Sequence, residues 1–154
     1  MAEQEELIRR LVAIHGDEGI SPAAQSWREI FRLGGHGPIH IINLLKFRQQ
    51  VDTPAGPISG VAAYARYTAG VGSAFARVGG QRIYFGQVGH VFALGPVTDW
   101  DAAIVTRYPS AEALAQMWLS AEFISAHRNR VDGVERSQVL VFGEPQARSA
   151  ETAG

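Results

Sequence analysis

The segment Ile39-His40-Ile41-Ile42-Asn43-Leu44-Leu45-Lys46-Phe47 sets the tightest limit on how this chain can fold. It is rich in Ile and Leu and reads as a β-strand over residues 39–47. Alternation puts Ile39, Ile41, Asn43, Leu45 and Phe47 on one face and His40, Ile42, Leu44 and Lys46 on the other. Both faces are substantially apolar, and a strand of that kind needs cover on both sides. Helices of the same domain can cover one side. A second copy of the chain is the simplest cover for the other, and the N-terminal helices are the competing one.

The rest of the chain supplies the helices. Leu7, Ile8, Leu11, Val12 and His15 recur at helical spacing and stop at Gly16. Ser21-Pro22 reads as a cap followed by a first-turn proline, ahead of the stripe Trp27, Ile30, Phe31. Residues 3–33 are therefore two short helices, and 34–38 a loop. Val61, Tyr64, Thr68, Val71, Phe75 and Val78 share one face of a further helix that ends at Gly79-Gly80. A long strand follows over 81–94, with Gly86 and Gly89 as bend or bulge points. The next strand spans 101–108. Helices start at Pro109-Ser110 and at Ser120, and a last strand covers 136–142. From residue 38 onward the order is β-α-β-β-α-β, the ferredoxin-like pattern. The expected architecture is α+β. Residues 1–37 form an N-terminal two-helix extension and residues 38–143 a ferredoxin-like domain that pairs into a dimeric α+β barrel. Residues 144–154 form a flexible tail. The 154 residues suit one domain.

Composition removes several classes of function. Net charge is −1, from 14 basic and 15 acidic residues. Nucleic acid and anionic membranes recruit a basic excess, so neither is expected as a partner. With no cysteine there is no disulfide, thiolate or cysteine zinc site. The acidic start, Met1-Ala2-Glu3-Gln4-Glu5-Glu6, is unlike a signal peptide, and no apolar run approaches a membrane span. The expectation is a soluble, cytoplasmic protein.

Several pieces of sequence together carry a resemblance. They are Ile42-Asn43-Leu44-Leu45-Lys46-Phe47-Arg48, Tyr64-Ala65-Arg66-Tyr67, and Val78-Gly79-Gly80-Gln81-Arg82-Ile83 with Gly86. Further along come Tyr108-Pro109-Ser110 and Met117-Trp118-Leu119-Ser120-Ala121-Glu122-Phe123 with Arg130. In this order and spacing the chain resembles a bacterial family of unknown function within the dimeric α+β barrel superfamily. The resemblance implies a homodimer with sheets packed face to face and pockets between each sheet and its helices. It also implies kinship with cofactor-free monooxygenases, lactone isomerases, dehydratases and haem enzymes. Family members often carry Tyr where this chain has Phe123 and an acid where it has Leu94.

No phosphate loop, nucleotide fingerprint or nucleophile elbow is present. His36 and His40 are separated by Pro38 and do not share a helical face, so no metal site is expected. The better cluster is Asn43, Tyr64, Tyr67, His127 and Arg130. Tyr64 and Tyr67 share a helix face, as do Phe123, His127 and Arg130, and Asn43 is a polar group within an apolar strand face that needs a partner. In a site reading, Arg130 and Asn43 hold the ligand, with Trp118 as a packing contact. His127 carries a proton, and Tyr64 and Tyr67 donate to a carbonyl or enolate oxygen. That arrangement suits a cofactor-free isomerase, dehydratase, cyclase or oxygenase acting on a carbonyl or carboxylate compound. The alternatives are a non-catalytic homodimer that binds a small organic ligand or serves assembly, and a haem-binding variant. In the structural reading the tyrosines only satisfy their hydroxyls, and Arg130 pairs with Asp132 or Glu135.

Overall fold

A computed structural model describes residues 1–17, 21–35, 37–93 and 95–144. His36 and Leu94, both singled out above, lie outside the described residues, as does the tail beyond residue 144. The elements run α1 (Ala2–His15), α2 (Ala24–Gly34), β1 (Ile39–Phe47), α3 (Gly60–Arg77), β2 (Gln81–Gln87), β3 (Ala102–Tyr108), α4 (Ala111–Trp118), α5 (Ala121–Gly133) and β4 (Val134–Gly143). The four strands form one antiparallel sheet in the order β2-β3-β1-β4. From β1 onward this is the ferredoxin-like fold, with the second helical segment split into α4 and α5.

Serines set where the core helices begin. Ser59, Ser110 and Ser120 accept hydrogen bonds from the backbone N–H of Ala62, Ala113 and Phe123 at 3.1, 3.1 and 3.2 Å. Ser21 behaves differently from the expected cap. Helix α2 starts only at Ala24, and the Ser21 hydroxyl instead donates to the His15 carbonyl at 2.8 Å, closing the end of α1.

Strand register assigns the two faces. Ile41 lies opposite Thr106 and Val141, and Asn43 opposite Ile104 and Val139. This face carries the buried Ile39, Ile41, Leu45, Ile104 and Tyr108 and is covered by helices. The opposite face carries Ile42, Leu44, Val105, Leu140 and Phe142. Of these, Leu140 and Phe142 are exposed, as is Tyr84 opposite Val105. The N-terminal helices do not cover this second face. Helix α1 packs on α2 and α4, and α2 packs on α4 and the end of β4. Ile8, Leu11, Trp27 and Phe31 are thereby buried in the main core.

Strand β2 is shorter than the expected 81–94, ending at Gln87, and its irregularity falls at Ile83 rather than at Gly86 or Gly89. Pairing with β3 passes from Arg82–Thr106 to Tyr84–Val105 and skips Ile83, a bulge. After Val88 the chain leaves the sheet, so His90 is an exposed loop residue, and Phe92 is almost fully exposed.

Helices α3 and α5 cross with very little space between their backbones. A Cβ on Gly60 would collide with the Arg48 carbonyl and lie 2.5 Å from that of Gly133; one on Gly133 would lie 2.6 Å from the Gly60 carbonyl. A Cβ on Gly70 would stand 2.7 Å from the Ala126 methyl. The contact atoms at the first two positions are backbone and cannot swing aside. Gly60→Ala should therefore destabilise the protein by about 1–3 kcal/mol, the usual cost of overpacking. The check is the midpoint of chemical denaturation, with Gly72→Ala, where an added methyl meets nothing, as the comparison that loses no stability.

Candidate functional site

The crossing of α3 and α5 over the sheet leaves a cavity of about 530 Å³, within the usual range for small-molecule sites. Its floor is the helix-facing side of the sheet, including Ile41, Asn43, Ile104 and Val141. Tyr64, Tyr67, Val71 and Phe75 descend from α3, Arg130 from α5, and Leu114, Met117 and Trp118 from α4. The end wall is α2, through Ser26, Trp27 and Ile30. Asn43, Tyr64, Tyr67, Trp118 and Arg130 thus line one space.

Arg130 is the most informative of these residues. It is 8% exposed, and no carboxylate of the described residues lies within salt-bridge distance of it. Asp132 pairs with Arg128 instead, at 2.9 Å. Arg130 makes a long donation from Nη2 to Asn43 Oδ1 at 3.5 Å, and it also lies close enough to the Tyr64 hydroxyl to hydrogen-bond it and oppose the rise of its pKa. A buried guanidinium has five donors and a large desolvation cost, and a long bond to Asn43 with a neighbouring tyrosine hydroxyl leaves most of its donors for a guest.

The tyrosines around it are kept as donors. Burial pushes the Tyr64 hydroxyl above the usual tyrosine range, opposed by the positive charges of Arg130 and Arg82. Tyr67 is raised more strongly, by burial first and then by neighbouring Tyr64, with Arg130 opposing. Tyr108, deeper on β3, is raised by burial and then by Tyr67 and Tyr64. All three stay protonated at neutral pH. Tyr64 and Tyr67 stand 5.4 Å apart by ring centre, and Phe47 holds the far side of Tyr64 at the same distance.

His127 is not among the residues lining the cavity. On α5 it stands about 60° around the helix from Arg130, given 100° per residue, and turns toward α1 and α4. There it stacks on Phe123 at 4.7 Å and meets Trp118 and His15 at 5.3 and 5.7 Å. Its Nδ1 is buried without a partner. Burial, then the charge of Arg130 and proximity to His15, lower its pKa to about 4, so the ring is neutral at physiological pH. His15 is anchored differently, its Nε2 lying 2.8 Å from the Trp118 carbonyl, to which it donates when that nitrogen carries the proton.

Sequence reasoning missed three contributors: Arg82, Thr106 and the α2 wall. Arg82 reaches the cavity because the bulge at Ile83 follows it, and nothing in the sequence marks that bulge. The stripe of α2 was visible, but not what it covers. No cluster of three or more metal-binding side chains occurs among the described residues, and no described helix is long and apolar enough to cross a membrane.

Fold and cavity together define a ferredoxin-like α+β protein with a pocket between sheet and helices. The chain belongs to the family described as domain of unknown function DUF1330, whose model matches residues 57–144. Among solved structures it is similar to the RPA0582 protein of unknown function from Rhodopseudomonas palustris. The identity is 27% and the TM-score 0.73, over 83% of this chain and 97% of that one. The methylated form of RPA0582 matches at 26% identity and a TM-score of 0.75, over 85% and 98%. At3g17210 from Arabidopsis thaliana shares the fold at 12% identity and a TM-score of 0.50, over 72% and 98%. No curated protein matches the chain.

The buried imidazole gives a pH prediction. A histidine with its folded pKa lowered from 6.5 to about 4 stabilises the fold fully above the unfolded value, and that contribution is lost as pH falls toward the folded one. Thermal midpoints measured between pH 7.5 and 4.5 should fall with acid. His127→Phe, which keeps a ring on Phe123, should flatten the part of that fall below about pH 6.5.

Proposed function

We propose that this chain is a homodimeric α+β barrel protein that binds a small carbonyl or carboxylate compound in the cavity under α3 and α5. The observation that carries the reading is Arg130: a buried cation without a carboxylate partner among the described residues, beside Asn43 and a protonated Tyr64. A ligand carboxylate or polarised carbonyl supplies the acceptors that the guanidinium lacks, and charge-assisted bonds of this kind are the strong ones. The apolar remainder of the lining takes up the ligand's body.

For catalysis, Tyr64, Tyr67 and Arg130 form a set of donors aimed at one region, suited to holding an enolate or carbonyl oxygen during isomerisation, dehydration, cyclisation or cofactor-free oxygenation. A proton carrier is harder to name. His127 stands outside the lining with a pKa of about 4, and no histidine of the described residues lines the cavity. That observation favours the second reading, a non-catalytic binder of the same ligand class. The haem reading gains no support from the lining either, since no imidazole of the described residues stands in it.

The homodimer reading is supported by the face that no described helix covers, with Leu140, Phe142 and Tyr84 exposed on it. A second copy apposed there would bury an interface of roughly 2,000 Å² or more, as obligate dimers do.

Two measurements test the proposal. Arg130→Gln should weaken binding of a carboxylate at least about tenfold, the usual worth of a charged hydrogen bond, without changing oligomeric state. If the variant fails to fold while Tyr64→Phe binds carboxylates as well as wild type, Arg130 belongs to the scaffold. Light scattering at micromolar concentration should give a dimer that Phe142→Asp splits, and a wild-type monomer there removes the dimer from the proposal.

A further inference from the structure

We infer that the site takes an aromatic monocarboxylate, and that the N-terminal extension, through α2, sets how long that ligand can be. The inference rests on the reading of Arg130 as the anion anchor.

Charge specifies the head group. Among the described residues Arg82, Arg130 and Asp17 are the charged side chains that line the cavity, and of these only Arg130 is buried, Arg82 and Asp17 being exposed. One carboxylate pairs with that buried guanidinium, whereas a second carboxylate on the same guest would have no buried cation to meet, which is costly. Ring chemistry specifies the body. Trp27, Tyr64, Tyr67, Phe75, Tyr108 and Trp118 all contribute to the lining. Trp27 and Trp118 already meet edge to face, with centres 5.5 Å apart and planes at 83°. Such a wall offers both ring faces and ring edges to a planar guest.

The origin of the far wall assigns the length. Asn43 and Arg130 mark the polar end of the cavity. Four residues along β1, Ile39 pairs with Gly143, and there a Cβ would stand 3.3 Å from the Leu33 carbonyl of α2. The distance between these levels is roughly 13 Å at strand spacing. Ser26, Trp27 and Ile30 of α2 close this end, and all lie outside the residues 57–144 shared with the family. Arg130 lies in the family portion and Asn43 on β1 just before it, so the head group sits on the ferredoxin-like part of the chain while the extension limits what can trail behind it. Ser26 is exposed and Ile30 half-buried, so both can be changed without emptying the core around Trp27.

The test titrates the full chain by calorimetry with benzoate, 2-naphthoate and anthracene-2-carboxylate, with 2-naphthylmethanol as neutral counterpart and cyclohexanecarboxylate as non-aromatic one. The acids should bind more tightly than the alcohol, and this preference should vanish in Arg130→Gln. Ser26→Trp should weaken anthracene-2-carboxylate about tenfold while leaving benzoate within about twofold, and Ile30→Ala should shift the ranking toward the larger acid, as filling or trimming an apolar pocket does. If binding depends on Arg130 but both α2 variants keep the wild-type size ranking, the role of α2 is overturned and the anion anchor survives. Equal affinity for 2-naphthoate and its alcohol overturns the anchor, and the inference with it. Cyclohexanecarboxylate matching benzoate overturns the aromatic requirement. No binding of any acid at millimolar concentration overturns the whole.

Discussion

The structure depends on how closely α3 and α5 approach each other. Gly60, Gly70 and Gly133, with Ala63 and Ala126, bring the two helices into contact without intervening side chains. Large residues there would hold the helices apart, and water would reach Arg130 between them. Because the backbones touch at this line, the next residues around α3, Tyr64 and Tyr67, are forced down onto the sheet beside Arg130. Phe123 is fully buried on the α5 side, with Tyr67 against it at 6.1 Å. The polar end of the cavity is therefore a by-product of a seam of small residues.

That seam places a positive charge where solvent compensates it poorly. Around it the chain supplies donors. The guanidinium has no lone pair to offer, and the tyrosine hydroxyls are held in their protonated state by burial. Asn43 contributes an acceptor to Arg130 at long range. Beside the guanidinium such a surface favours guests that bring oxygen acceptors.

Much of this was legible in the sequence, for physical reasons. The apolar run of β1, the helical period of α1 to α5 and the capping serines act over a few residues, so pattern alone places the elements and their order. Tyr64 with Tyr67, and Asn43 with Arg130, could be grouped because helix period and strand alternation fix which side chains share a face. Three things were not legible. The azimuth of His127 separates it from Arg130 by a fraction of a turn, and a shared face is too coarse to reveal that. Ser21 had the chemistry of a cap, but its hydroxyl found the end of α1 nearer than the start of α2. The covering role of α2 depends on where a connection of unpatterned residues delivers it, and no local signal carries that information.

The bulge at Ile83 also bears on how this protein can vary. Side chains along a strand obey a parity rule, and an unpaired residue resets the parity on one side of it. Arg82 precedes the reset and points to the cavity, while Tyr84, two positions later, points to the opposite face. The charge at this edge of the site is thus set by arithmetic along the chain more than by any contact Arg82 makes. One residue gained between Arg82 and Tyr84, with the pairing beyond the bulge unchanged, would carry Arg82 from its place opposite Thr106 to one opposite Arg107, on the other side of the sheet. Substitutions within β2 can tune the pocket gradually, but a change of length there would exchange what the pocket sees for what the outer face sees in a single step.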